Sequence, residues 1–176
     1  RGVTCTIHRG ERIALIGHNG AGKSTLFLLL SGLQSSWSGE VYLHGQLIHP
    51  QERVTLRQQV ALVLQNSNYQ LFTPSVEDEI AFGLKNMGLR EEALHNRLEG
   101  LLTRYNLAEL RHKPPHELSE GQKKWVALVA VLATDPEVLI LDEPTAALDA
   151  LYTERVLDLL EQLHLAGKTI IISTHD

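Results

Sequence analysis

The residues with the clearest chemistry form an eight-residue run, Gly17-His18-Asn19-Gly20-Ala21-Gly22-Lys23-Ser24. Glycines at its start and near its end, followed by Lys and Ser, let consecutive backbone N–H groups curl around the phosphates of a triphosphate. Lys23 supplies a point charge to the β- and γ-phosphates. The hydroxyl of Ser24, with Thr25 beside it, is placed to serve Mg²⁺. A second constellation is the apolar run Val138-Leu139-Ile140-Leu141 ending in Asp142-Glu143. Asp142 can hold Mg²⁺ directly or through water, and Glu143 can accept a proton from an attacking water. Taken alone, these acids read equally well as an exposed loop opening before Pro144; the phosphate loop upstream favours the chemical reading.

These groups require a sheet whose strands end at one edge. Short runs rich in Val and Ile predict buried strands over 12–16, 60–64, 137–141 and 169–173, apolar throughout as in a parallel sheet covered on both faces. The alternating stretch 39–45 reads as a half-exposed antiparallel strand, and Val3-Thr4-Cys5-Thr6-Ile7 is also strand-like. Helices are predicted over 23–32, 75–84, 90–104, 120–133 and 150–165, with Ser75 as an N-cap three residues before Asp78. The helix from 23 would turn its positive end toward the phosphates. No strand is read between about 66 and 118. The expected organisation is one domain over 1–176, with a core of about 1–65 and 134–176 and a helical subdomain of about 66–133.

The chain has 176 residues, enough for one domain with a full core. A net charge of −5 argues against a general nucleic-acid surface. A single cysteine, Cys5, excludes an internal disulfide and fits a reducing compartment. The longest apolar run, Trp125 to Ala133, is far short of a membrane span, so any membrane role comes through a partner. Both ends read as cuts, at Arg1 inside a strand-like stretch and at Asp176 directly after a strand.

With Leu118-Ser119-Glu120-Gly121-Gln122 opening the helix over 120–133, the sequence resembles the nucleotide-binding subunit of ABC-type ATPases along essentially its whole length. Gln65, after Val60-Ala61-Leu62-Val63-Leu64, matches the family's loop glutamine. Ala147-Leu148-Asp149 matches its aspartate loop, and His175 in Ser173-Thr174-His175-Asp176 matches its switch histidine. The resemblance implies a mostly parallel α/β P-loop NTPase core with a small antiparallel part and a helical subdomain. ATP and Mg²⁺ would be bound between two subunits arranged head to tail. Ser119, Gly121 and Gln122 of one copy would cover the nucleotide of the other, Gln65 would sense Mg²⁺ and the attacking water, His175 would reach the γ-phosphate and orient Glu143, and Asp149 would communicate across the dimer. Within the family, the run Gln65 to Gly83 is most similar to ATPases of cobalt and nickel importers and of energy-coupling-factor vitamin transporters. That implies an ATPase at the cytoplasmic face of the membrane, docked on an integral subunit through Tyr69 to Phe72. The alternative for Leu71 and Phe72 is that they fill the subdomain's own core.

Two departures from the family pattern stand out. Glu120 replaces the first glycine of the usual Gly-Gly, and an outward-facing Glu120 with hydrolysis retained is expected. No aromatic precedes Phe27, so no adenine-stacking residue is assigned. The nine histidines are scattered, and Pro114-Pro115 separates His112 from His116, so no metal site is read from them. Tyr105 and Trp125 read as packing residues, the latter on one apolar face with Leu128, Val129 and Leu132. Two other functional classes compete with this reading. A soluble ABC-type ATPase of DNA repair or chromosome maintenance would carry a long coiled coil, and only 93 residues separate Ser24 from Leu118, without heptads. One of translation uses two tandem domains on one chain, an alternative that stays open. A module that binds nucleotide without hydrolysing it is disfavoured by Lys23, Asp142, Glu143 and His175 together.

Overall fold

The computed structural model describes residues 2–34 and 38–174. Four strands, β1 (Arg12–Ile16), β4 (Val60–Val63), β5 (Val138–Asp142) and β6 (Thr169–Thr174), form one parallel sheet in the order β1-β6-β5-β4. All four lie within a residue or so of the positions their apolar runs predict. The side chains of β4, β5 and β6 alternate between two cores, as the period of a strand requires, whereas β1 alternates between half-buried and exposed residues, with Ile16 69% exposed. Val63, Leu139, Leu141 and Ile170 face a large cluster with α3 (Val76–Asn86), α4 (Glu91–Arg104), α5 (Glu120–Leu132) and α6 (Ala150–Leu165). Leu62, Ile140 and Ile171 face a smaller cluster with Phe27 of α1 (Lys23–Leu30) and Leu56 of α2 (Arg53–Gln59). Strands β4, β5 and β6 are the middle of three layers, and this explains why they read as continuous apolar runs; β1, at the sheet edge, is not covered on both faces as its run predicts.

The stretch 39–45 departs from its prediction. It forms only the two-residue strand β2 (Tyr42–Leu43), which turns back through His44 and Gly45 to pair antiparallel with β3 (Gln46–Leu47). His44 and Gly45 both have positive φ, 52° and 75°, as a tight two-residue hairpin turn demands. The antiparallel character is as expected; the expected strand ran through what is the turn. Val3–Ile7 is not a strand, because among the described residues none lies alongside to take its backbone hydrogen bonds. Helix α2 was not read from the sequence at all, since it is seven residues long and buries only Leu56.

From 66 to 118 the described chain contains helices and short 3₁₀ turns without a strand, as read. Ser75 caps α3, its Oγ accepting from the Asp78 N–H at 3.1 Å. Trp125 and Tyr105 are both buried and meet edge to face with centroids 6.0 Å apart; the Trp125 Nε1–H donates to the Tyr105 carbonyl at 3.0 Å. Helices α3 and α4 are tied to the segment leading to α5 by Arg111. Its guanidinium donates to both Glu77 carboxylate oxygens, at 2.7 and 2.6 Å, and pairs with Glu99. Those bonds hold the Glu77 carboxyl below the ordinary carboxylate range.

A carboxyl whose folded pKa is depressed stabilises the fold above its unfolded value, and that contribution is lost as pH falls through the folded one. Glu77→Gln is therefore expected to lower thermal stability at neutral pH and to flatten the decline of Tm below the ordinary carboxylate pKa of about 4.3. Melting curves of the wild type and the variant between neutral and strongly acid pH measure the difference.

Candidate active site

Parallel pairing brings the carboxyl ends of β1, β4, β5 and β6 to one edge, where open α/β sheets hold their ligands. Ile16 pairs with Thr174 and Asp142 with Ser173, so the phosphate loop leaves β1 beside the acids that close β5. Val63 pairs with Leu141, which places Gln65 opposite Glu143 two residues further on. Accordingly, the Gln65 Nε2–H donates to Glu143 Oε2 at 2.8 Å. The register alone delivers this contact between residues far apart in sequence.

Gly22 holds α1's N-cap position with φ 96°, a left-handed conformation that glycine adopts without a Cβ penalty. No side chain caps this helix, so the first-turn N–H groups of α1 lack the partner that a capping residue supplies. A Cβ built on Gly20 or Gly22 would meet no atom within 4 Å, so the loop bounds open space. Lys23 curls back over the loop, its Nζ donating to the Gly17 carbonyl at 2.5 Å and to the His18 carbonyl at 3.3 Å. Ser24 and Thr25 are exposed at the start of α1. Uncapped donors, a local ammonium and exposed hydroxyls fit a phosphate chain with its divalent cation.

The acids are buried, Asp142 at 6% and Glu143 at 9% exposure. Ser173 joins them: its Oγ–H donates to Asp142 Oδ1 at 2.5 Å, and the same oxygen accepts from the Glu143 N–H at 2.9 Å. Glu143 has φ 47°, a left-handed conformation that costs a non-glycine residue about 1–2 kcal/mol. Behind it lies Lys124 of α5, 5% exposed, whose ammonium donates to the carbonyls of Glu143 at 3.0 Å and Ala146 at 3.4 Å. Burial pushes the Lys124 ammonium below the ordinary lysine value, against the opposing pull of Glu143, Asp142 and Glu120. Neither Ser173 nor Lys124 was singled out from the sequence. A serine closing an Ile-rich strand was the available signal for the first. Lysine on a helix ordinarily reads as solvated, so the second gave none.

The signature residues and Asp149 sit at two helix starts. Ser119 caps α5 through a reciprocal pair: its Oγ accepts from the Gln122 N–H at 3.2 Å and its own N–H donates to Gln122 Oε1 at 3.0 Å. The Glu120 side chain is 61% exposed and pairs with Lys123 at 2.8 Å, which holds its carboxyl below the usual range. Asp149 caps α6, its Oδ1 accepting from the Tyr152 N–H at 2.8 Å. A Cβ on Gly121 would lie 2.5 Å from the Tyr152 ring, which also carries the Arg155 guanidinium 5.3 Å from its centroid. Residues 65–69, Glu120, Lys124 and 146–148 line a cleft of about 490 Å³. His175 lies outside the described residues.

The aromatic cluster after Gln65 divides. Leu71 packs on the large core, while Tyr69 and Phe72 are 82% and 67% exposed. Phe72 meets Phe82 edge to face at 5.0 Å. The loop bearing Phe72 is held by buried Glu79, whose Oε2 accepts from the Phe72 N–H, the Thr73 N–H and the Thr73 hydroxyl at 3.1, 3.0 and 2.7 Å.

A glycine-rich phosphate loop and an acid-ended strand on one edge of a parallel sheet define a P-loop nucleoside-triphosphatase fold. The family model described as ABC transporter matches residues 1–146, and the chain belongs to that family. It is 44% identical to the energy-coupling factor transporter ATP-binding proteins EcfA of Methanocaldococcus jannaschii and of Methanosphaera stadtmanae, each over 178 aligned residues covering all of this chain. The chain spans 64% of the length of each of these relatives. Among solved structures it is similar to cbiO1 of Clostridium perfringens, part of the ABC transporter complex cbiONQ, with TM-score 0.86 and 41% identity over all of this chain and 71% of that one. It also resembles the ATP-binding cassette MJ0796 in a dimeric post-hydrolysis state bound to ADP and Pi, with TM-score 0.88 and 28% identity over all of this chain and 79% of that one.

The contact between Gly121 and Tyr152 is directly testable. Gly121→Ala is expected to cost about 1–3 kcal/mol by overpacking, despite alanine's better helix propensity. In a Tyr152→Ala background the same change should become neutral or stabilising. Denaturant unfolding of the two single variants and the double variant measures the coupling.

Proposed function

We propose that the chain is the ATP-binding and hydrolysing part of an importer's energising subunit. The observation that carries this reading is the shared sheet edge, where the uncapped start of α1 stands beside the Gln65–Glu143 pair. In this reading Lys23 and the N–H groups of the loop bind the phosphates of ATP, and Glu143, oriented by Gln65, takes a proton from the attacking water. Ser24 and Asp142 would hold Mg²⁺, with Gln65 near it, and the ion would neutralise charge on the phosphates. His175 would complete the γ-phosphate side.

Ser119, Gly121 and Gln122 lie at a helix start capped only by its own residues, a surface suited to covering the nucleotide of a second subunit. A head-to-tail dimer is the proposed assembly, with Asp149 at its seam. In this reading the chain divides into a core of about 1–65 and 134–176 and a helical unit of about 66–133, which would let the signature helix move relative to the phosphate loop. Exposed Tyr69 and Phe72 support docking on an integral membrane subunit, and in this reading the protein works at the cytoplasmic face of a membrane. Among the described residues no helix is long and apolar enough to cross one. The likeness to the energy-coupling factor transporter proteins EcfA and to cbiO1, part of an ABC transporter complex, supports work in a transporter. The cargo proposed from the run Gln65 to Gly83 is a vitamin or a cobalt or nickel ion, selected by other subunits.

Glu143→Gln should lower kcat by about 10²–10⁴-fold, leave ATP binding intact and trap an ATP-loaded dimer on size exclusion. A variant that stays monomeric with ATP, or turns over at the wild-type rate, overturns the assignment. Lys23→Ala should weaken nucleotide affinity by about 10- to 100-fold, the worth of a charged hydrogen bond. Equilibrium binding of a fluorescent ATP analogue measures it.

A further inference from the structure

The turn that carries Glu143 holds a strained backbone and is gripped from several sides. Glu143 and Ala147 both have positive φ, 47° and 60°, though neither is glycine. Within the turn, the Ala146 N–H donates to the Glu143 carbonyl at 3.2 Å and the Leu148 N–H to the Thr145 carbonyl at 3.3 Å. A strained segment persists only where its surroundings over-determine it. Ser173 fixes the Glu143 N–H from β6, and Gln65 fixes the carboxylate from the end of β4. The Glu143 carbonyl accepts from the Lys124 ammonium at 3.0 Å as well as from the Ala146 N–H, and the Ala146 carbonyl accepts more weakly from the same ammonium at 3.4 Å.

We infer that Lys124 is a positioning residue: it clamps the turn from Glu143 to Ala147 and links the start of α5 to the backbone of the residue that activates water. The inference rests on the reading of Glu143 given above. Three observations carry it. An ammonium at 5% exposure is costly unless its hydrogens are used, and two of its three N–H bonds go to this turn. Lys124 lies one helical turn beyond Glu120, so it moves with the signature residues of α5. The cleft between residues 65–69 and the aspartate loop is lined by Lys124 together with Ala146, Ala147 and Leu148, so the clamp borders space into which the turn would relax if released. A displacement of α5, when its exposed start engages a second subunit, would therefore reach Glu143 through its own carbonyl.

The test compares Lys124→Met, which keeps the apolar stem and removes every donor, with Lys124→Arg, which keeps a cationic donor, in the full-length chain. In hydrogen–deuterium exchange without nucleotide, Lys124→Met should speed exchange of the 143–149 peptide about tenfold, with peptides of α5 and β6 within about twofold of wild type. In steady-state ATP hydrolysis it should lower kcat about tenfold or more with KM within about twofold, and Lys124→Arg should recover most of both effects. Unchanged exchange of the turn overturns the clamp. Faster exchange spread equally over α5 and β6 does so too, by showing general loosening. Faster exchange of the turn with wild-type kcat overturns the positioning role. A wild-type chain that fails to hydrolyse ATP defeats the reading of Glu143 instead, and the exchange result still decides whether Lys124 holds the turn. If Lys124→Met does not fold, Lys124→Gln takes its place with the same expectations at smaller amplitude.

Discussion

The pairing of Asp142 with Ser173 across β5 and β6 is the constraint from which the rest of the site follows. A parallel ladder fixes which residues finish side by side, and here it finishes with an acid beside a hydroxyl. One serine oxygen donates to the Asp142 carboxylate and accepts the Glu143 amide hydrogen, so it sets both acids at once. The next strand on either side extends the row. β4 supplies Gln65 opposite Glu143, and β1 releases the phosphate loop next to Thr174. Slipping any of these pairings by one residue would send the apolar side chains into the wrong layer, so the two cores and the site enforce the same register.

Around this row the chain assigns different work to its helix starts. The start of α1 is left without a side-chain cap, which keeps its donors for a ligand. The starts of α5 and α6 are capped by Ser119 and Asp149, so these residues are spent internally as long as the chain stands alone. Such side-chain caps contribute roughly 1 kcal/mol each. Engaging a second subunit's nucleotide would have to replace that contribution with better bonds. The close seat of Gly121 on Tyr152 packs the start of α5 tightly against α6.

The sequence shows the sheet well because each strand is an apolar run of the right length, and it shows the phosphate loop because its residue types are chemically restrictive. Gln65 and Glu143 were also visible, through motif order, but their direct hydrogen bond is a property of register that no local pattern encodes. What stayed hidden has physical reasons. Helix α2 buries a single leucine, too little to create a period. Val3 to Ile7 has strand chemistry without an adjoining strand among the described residues. The hairpin at 42–47 was misjudged because His44, an unremarkable residue in a strand pattern, adopts positive φ. Lys124 and Ser173 are polar residues whose significance comes from the burial imposed by neighbours distant in sequence. Composition leaves open whether Leu71 and Phe72 face surface or core, since both are apolar enough for either place; Leu71 packs on the core and Phe72 is exposed.

Glu79 has a consequence for how Phe72 meets its surroundings. One carboxylate oxygen gathers three donors from Phe72 and Thr73, and the Phe72 ring also rests its edge or face against Phe82. A large apolar side chain that projects into water from a mobile loop would surrender conformational entropy on being covered. Here most of that freedom has already been given up in folding, so a surface that covers Phe72 would collect its apolar contact with little ordering left to do.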